Sequence, residues 1–454
     1  MEKQMLKDKV LACIEQNKDY LIEIGKKLYS MPETGFREHE TAAYVKSILE
    51  DCGMEVKDGI AITGLTAKAS GRKSEANVAL MGELDGLIMP SHPHCHPERG
   101  TFHGCGHYAQ LNTILGVALG LVKSGLICEL DGDLTFIGVP AEEVIEQDFR
   151  KQLREQGKLY FLSGKQEMVR LGVFDDVDMV LCSHVMGQKA EPYCWAGHSW
   201  NGVIFKTVEF TGKGAHAGLA PHQGINALEA ALCAMNNINA MRESFKDDDH
   251  VRIHYIITKG GDSSNIVPDD VRMEFGIRAA GVPVMKQVDK RVDNALRLGA
   301  EAIGAKVKIT NSGMDMPCHQ NKLLGDVYLQ NARRILGKDK VEDVFGDHRG
   351  SSTDCGDVAS LIPLLHPYFG GFVGTPHAND FDIADEYAAY VVPAKIAAAT
   401  VIDLLWDGAK LAKQIKQDFK PAFANKEEYL EYAAGLFAEG VDVGSTFDRT
   451  LNVL

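Results

Sequence analysis

The sequence predicts an α/β protein: a mostly parallel sheet with helices on both faces, interrupted by an inserted ferredoxin-like (βαββαβ) domain. Three observations carry this reading. Short apolar strands repeatedly run into polar residues, as in "NVALMGELDGL", "LTFIGVPAEE" and "MVLCSHV". Helical periodicities separate them, and strands alternating with helices imply parallel pairing. From Val203 to Ile309 the order changes to strand, helix, strand, strand, helix, strand, which is the split βαβ unit. A chain of 454 residues exceeds one hydrophobic core. The expected division is 1–200 and 313–454 for the α/β domain, with 201–312 as the insert.

Taken in order, Leu6, Val10, Leu11, Ile14, Leu21, Ile24 and Leu28 recur at helical spacing and predict one long opening helix. "ETAAYVKSILEDCG" reads as a second helix ending near Gly53, and a buried strand, Val78 to Met81, breaks at Gly82. "YAQLNTILGVALGLVKSG" is apolar on nearly every side, as a buried helix is. The insert reads as strands Val203–Phe210, Val251–Thr258, Val271–Arg278 and Lys306–Ile309 with helices Ile225–Met241 and Val284–Leu298. "EQDFRKQLREQGKLYFLSG" reads as a solvated helix face. Tyr429, Leu430, Tyr432, Leu436 and Phe437 predict a packed helix near the end.

Composition narrows the function. An apolar fraction of 45% and a charged fraction of 24% are those of an ordinary globular protein. A formal charge of −15 argues against a phosphate-tracking surface, so no nucleic-acid partner is expected. No apolar run is long enough to span a bilayer, so no membrane is expected either. The charged N-terminus and ten cysteines suggest a reducing, cytoplasmic setting with free or metal-bound thiols.

The chemistry concentrates at strand ends. Between His92 and His107 lie five histidines and two cysteines. Cys105 and His107, separated by one glycine, can turn thiolate and imidazole toward one point. Glu142 and Glu143 end one strand, His184 ends the next, and His377 follows the last sheet-like segment. Adjacent carboxylates point in different directions, so one can bind metal while the other acts as a base. In a parallel sheet such strand ends share one edge, where open α/β folds place ligands. Singly, each residue has an ordinary reading: a hydrogen-bonded histidine, surface charge, a small buried cysteine. Their common topological position favours the functional one. A local zinc module within residues 92–107 is the alternative, but the segment has no C-x₂-C pair.

"HGCGH" before a buried helix, then "VPAEE", "SHV", "GKGAHAG", "NIVPDD" and "PHANDF", occur in the order of one family. The chain resembles the dimetal aminoacylase and carboxypeptidase-G-like amidohydrolases of peptidase clan M-twenty (M20). It is most similar to the indole-acetyl-amino-acid and aminobenzoyl-glutamate hydrolases and the Xaa-Arg or β-alanyl dipeptidases. The resemblance implies Cys105, His107, Glu143, His184 and His377 as ligands to two divalent metal ions per chain, zinc or manganese, with Glu142 as general acid/base. Asp85 matches an acidic residue beside the metals. His216 matches a lid histidine reaching a site across a homodimer interface, and Asn265 and Arg278 match lid residues that bind a substrate carboxylate.

The implied activity is hydrolysis of the amide bond in a small N-acyl amino acid or dipeptide by metal-activated water. The insert would be the lid and dimerisation domain. One departure is Tyr108, where relatives carry Asp or Asn after "CGH", and a change of pocket shape is expected there. A non-catalytic metal- or amino-acid-binding protein on the same scaffold is the competing reading.

Overall fold

The computed structural model describes residues 2–436 and 441–443. The chain forms two compact units. The first comprises Met1–His198, His319–Asp347 and Asp357–Pro421; the second comprises Ser199–Cys318, His348–Gly356 and the stretch from Ala422.

The first unit opens with helices α1 (Lys3–Gln16) and α2 (Lys18–Tyr29) rather than one long helix. Asn17 interrupts them: its backbone leaves the helical region and its side-chain amide donates to the Cys13 carbonyl. The buried stripe of Leu6, Val10, Ile14, Leu21, Ile24 and Leu28 survives the break. Helix α3 (His39–Asp51) follows as expected.

The main sheet contains β1 (Val56–Ile60), β2 (Gly64–Ala69), β3 (Asn77–Glu83), β4 (Asp133–Val139), β5 (Met179–Leu181) and a last short strand, Leu364–Leu365. Spatially the order is β1, β2, β4, β3, β5 and then Leu364–Leu365. The first two pairings are antiparallel and the remaining three are parallel. Strands β3 and β4 are buried along their whole length, which is why both read as unbroken apolar runs.

Gly82 does not break β3 as expected; the strand continues to Glu83. A Cβ on Gly82 would stand 3.1 Å from the Leu111 backbone nitrogen. The glycine therefore serves close approach of helix α4 (His107–Val117), which is buried throughout and continues as a π-helical turn, Ala118–Lys123.

In the second unit, β6 (Gly202–Thr211), β7 (Arg252–Lys259), β8 (Asp270–Ala279) and β9 (Lys306–Asp315) form a fully antiparallel sheet in the order β7, β8, β6, β9. With α5 (Ala227–Met241) and α6 (Val282–Ile303) this is the ferredoxin-like unit. Its core joins Val208, Phe210, Ala230, Ala234, Ile277, Val292 and Leu296. The sequence reading assigns all of 313–454 to the α/β domain, whereas the second unit also takes in three later pieces. His348–Arg349 pairs with Ser199–Trp200, Lys286 lies over the Phe423 and Tyr432 rings, and Val441–Val443 pairs with Val307–Ile309. The expected late helix is Lys426–Gly435, with Tyr429 buried; Phe437 lies outside the described residues.

One charge in this unit is fully enclosed. Lys206 has no exposed side-chain surface, and its Nζ lies 2.7 Å from both Asp289 and Asp293 on α6. Removing the ammonium leaves two carboxylates facing each other in a poorly solvated place, the costly half of a buried ion pair. Lys206→Met is expected to lower unfolding free energy by about 3 kcal/mol, the low end because Asp293 keeps some solvent. Urea unfolding checks this; an unchanged stability would contradict it.

Candidate metal centre

Register places the candidate residues. Glu83, the last residue of β3, pairs with Val139, the last residue of β4, so both strands release their chains at one edge. From β3 comes Asp85, fully buried. From β4 comes the turn Ala141–Glu143, and three residues beyond β5 stands His184.

Asp85 joins two of these elements. One carboxylate oxygen accepts the Glu143 N–H at 2.9 Å, and the other lies 3.1 Å from His107 Nδ1. The Asp85 carbonyl is 2.8 Å from the same nitrogen. With Nδ1 committed as a donor, His107 Nε2 is the ring atom left to face a metal. Neither that Nε2 nor Glu143 Oε1 makes an aligned hydrogen bond, although Glu83 Oε2 lies 3.0 Å from the first and His377 Nε2 lies 3.1 Å from the second. Buried polar atoms held this way are costly, and a divalent cation fits both.

Gly106 makes the Cys105–His107 turn possible. It sits at φ 78°, and a Cβ there would come within 2.5 Å of Val185. Cys105 Sγ lies 3.3 Å from His184 Nε2, while His184 Nδ1 faces the Val185 carbonyl at 3.0 Å. His377 Nε2 lies 3.1 Å from Glu143 Oε1. The donor atoms form two triplets, Cys105–His107–His184 and Cys105–Glu143–His377, each with its atoms within 4.8 Å of one another. Cys105 belongs to both. A soft thiolate with imidazoles and a carboxylate is a donor set for zinc that also accepts manganese. Glu142 Oε2 stands 3.8 Å from His107 Nε2, adjoining the ligand group.

Burial, reinforced by Glu143, pushes the Cys105 thiol well above its usual range. Burial with His366 alongside pushes His184 down to about 3, so its ring is neutral and able to ligate. Burial disfavours a charged His107, but Glu83, Cys105 and Asp85 outweigh it and hold that group well above the ordinary histidine range.

Several residues of the centre escape sequence reasoning. Glu83 lies 3.0 Å from His107 Nε2, receives Lys165 Nζ at 2.5 Å and accepts from Gln110 at 2.8 Å. Strand alternation puts residues 83 and 85 on one side, a signal that was available; nothing in the sequence signals Lys165. Arg150 corrects the expectation of a solvated segment: it is 1% exposed and donates to the carbonyls of Ala141, Leu162 and Glu143. Glu38 Oε1 accepts the Ala141 N–H at 2.7 Å, holding the turn at its unusual φ of 54°. Tyr108 does not shape a pocket. It is 1% exposed among the rings of Tyr29, His103, Phe372 and Tyr390.

The His92–His96 segment forms no donor cluster among the described residues, so the local zinc alternative falls away. His216, Asn265 and Arg278 all belong to the second unit. His216 and Asn265 are exposed neighbours, with the Ala217 N–H donating to the Asn265 carbonyl at 2.9 Å. Arg278 is at the far end of β8, roughly 25 Å of strand away from where Asn265 precedes it. Its Nη1 donates to Ser352 Oγ at 3.1 Å.

Part of the chain matches a known domain family, and most of its length is similar to known proteins. Residues 201–302 match the peptidase dimerisation domain of the M20 type. The chain is 26% identical to the Xaa-Arg dipeptidase of Mus musculus over 95% of its own length and 96% of the relative's. In residues 201–302 this chain is similar to M20 peptidases. It is also 24% identical to IAA-amino acid hydrolase ILR1-like 4 of Arabidopsis thaliana, across 88% of this chain and 89% of that one. This chain shares its fold with the YXEP protein of Bacillus subtilis, described as a dinuclear metal binding peptidase. The TM-score is 0.67 at 21% identity, covering 86% of this chain and 99% of the other.

The turn support carries a pH signature. Burial, with Asp85 adding, raises Glu38 to about 8. An acid raised in the fold stabilises fully below its unfolded value of about 4.3 and loses that contribution as pH climbs through about 8. Glu38→Gln does not ionise. Its stability relative to wild type should therefore improve between about pH 5 and pH 9. Urea midpoints at the two pH values read this, and a constant difference would contradict it.

Proposed function

We propose that this chain is a metal-dependent amidohydrolase that cleaves the amide bond of a small N-acyl amino acid or dipeptide. The observation that carries the reading is the pair of donor triplets sharing Cys105, with the second carboxylate, Glu142, adjoining them. Its named relatives support it, since they are a dipeptidase and an amino acid hydrolase.

Cys105, His107, Glu143, His184 and His377 would hold two divalent ions, zinc or manganese. When bound, such ions polarise the scissile carbonyl and acidify water. Glu142 takes the proton from the attacking water and returns it to the leaving amine. The Gly218 and Leu219 N–H groups, 3.2 and 3.1 Å from His216 Nδ1, donate to that nitrogen. The ring proton therefore sits on Nε2, which can donate to the developing oxyanion. Arg278 clamps the substrate carboxylate, and Asn265, a strand's length away in the same chain, would contribute a polar contact only from a second copy in the proposed homodimer. We also propose a homodimer through the second unit: β7 is a sheet edge whose Ile256 and Ile257 are exposed. None of the ten cysteines forms a disulfide, in keeping with a reducing, cytoplasmic setting.

Metal content per chain, with hydrolysis of N-acyl amino acids, aminobenzoyl-glutamate and basic dipeptides with and without chelator, tests the proposal. Chelator-sensitive cleavage is expected. Glu142→Gln should keep its metal and lose about 100-fold or more in turnover. A fully active variant would remove Glu142 as the base, and chelator-resistant cleavage would remove the metal reading.

A further inference from the structure

The histidine-rich loop before the "CGH" pair makes no ligand cluster, yet it has a definite partner. It lies against the segment that carries His377. Ser91 Oγ donates to Asn379 Oδ1 at 3.1 Å, and His92 Nε2 meets the Phe381 carbonyl at 3.0 Å. His94 Nδ1 meets Asp382 Oδ2 at 2.6 Å. These are successive contacts along one strand of chain. The Tyr29 hydroxyl donates to the other oxygen of Asp382 at 3.0 Å, so that carboxylate is gripped from both sides.

The loop itself is firmly seated. His92 is 3% exposed and stacks on Phe102 with ring centres 3.5 Å apart. Its Nδ1 accepts the His94 N–H at 3.1 Å, fixing the next histidine of the series. Phe102 is in turn one residue from the buried His103 and three from Cys105.

His377 needs such support. Its side chain is 52% exposed, so packing does not hold it in place. Its backbone is at φ 67°, a conformation that costs energy for a non-glycine residue and persists only where surroundings impose it. Its own segment is held by its N–H to the Gly104 carbonyl at 2.9 Å, the Ala378 N–H to the Thr375 carbonyl at 3.0 Å, the Thr375 N–H to Asp380 Oδ1 at 3.1 Å and the pairing of Val373 with Asp382. The loop supplies further anchors, at residues 379, 381 and 382.

We infer that Ser91, His92 and His94 are positioning residues that brace the His377 segment and so set the affinity of the metal held by Cys105, Glu143 and His377. The inference rests on the metal reading above. It assigns the loop a role in one half of the centre only: none of these contacts reaches His107 or His184, and Cys105 is the one residue the two halves share.

The test is a Co²⁺ titration of the metal-free protein, followed by thiolate-to-cobalt absorption and by the number of ions bound per chain. Wild type should bind two. In His94→Ala one site should keep its dissociation constant and the other should weaken by on the order of 10-fold or more, the effect typical of losing a support behind a ligand. His94→Asn, whose amide stands where Nδ1 does, should restore it, and Ser91→Ala should reproduce the loss in part. Because His94 is an exposed side chain, the metal-free melting temperature of His94→Ala should match wild type. Two undisturbed sites in His94→Ala would overturn the inference alone. A uniform weakening of both sites, or a lowered metal-free melting temperature, would assign the loop to general stability and overturn it too. A wild-type chain that takes up no cobalt would overturn the metal reading, and the brace with it.

Discussion

The Asp85 carboxylate is the constraint on which the candidate centre depends. A buried carboxylate is tolerated only where hydrogen bonds replace its water. Here the replacements are the Glu143 N–H and the His107 ring, which come from the end of β4 and the start of α4. One side chain therefore fixes a ligand's backbone, another ligand's tautomer and the relation of both to β3. The parallel register of β3 and β4 makes this possible, since it ends the two strands level with each other. Glu38 and Arg150 complete the support from the other side of the Ala141–Glu143 turn.

This arrangement leaves a division of labour between rigid and supported ligands. Cys105, His107 and Glu143 are held by buried structure, whereas His377 stands on an exposed, strained turn. Pre-forming most of a ligand set has a cost, since it leaves His107 Nε2 and Glu143 Oε1 buried without an aligned hydrogen bond. Cation binding would return that cost, so folding and metal affinity are coupled in the sense that loading should stabilise the protein.

Much of this was legible in the sequence because it depends on strand ends. Apolar runs stopping at "ELDGL", "VPAEE" and "SHV" mark the sheet edge, and short-range turn chemistry marks Cys105 and His107. The ferredoxin-like unit was legible from its order of periods. What escaped has a common cause. Asn17 breaks a helix by a local side-chain bond that leaves the apolar stripe intact, so periodicity cannot see it. Arg150 and Lys165 lie in polar segments whose burial depends on contacts with distant residues. Gly82 looked like a terminator, but serves the approach of a helix nearly thirty residues later in sequence. Tyr108 looked like a pocket residue, although the aromatic rings around it come from four separate segments. The later pieces of the second unit join it through pairings between residues more than a hundred positions apart, which no local pattern carries.

The most direct measurement is anomalous scattering from crystals of the zinc-loaded or manganese-loaded protein. The account requires two metal peaks per chain, one among Cys105, His107 and His184 and one among Cys105, Glu143 and His377, with Cys105 adjoining both. A single peak, or metal bound at His92–His96 in place of these residues, would contradict it.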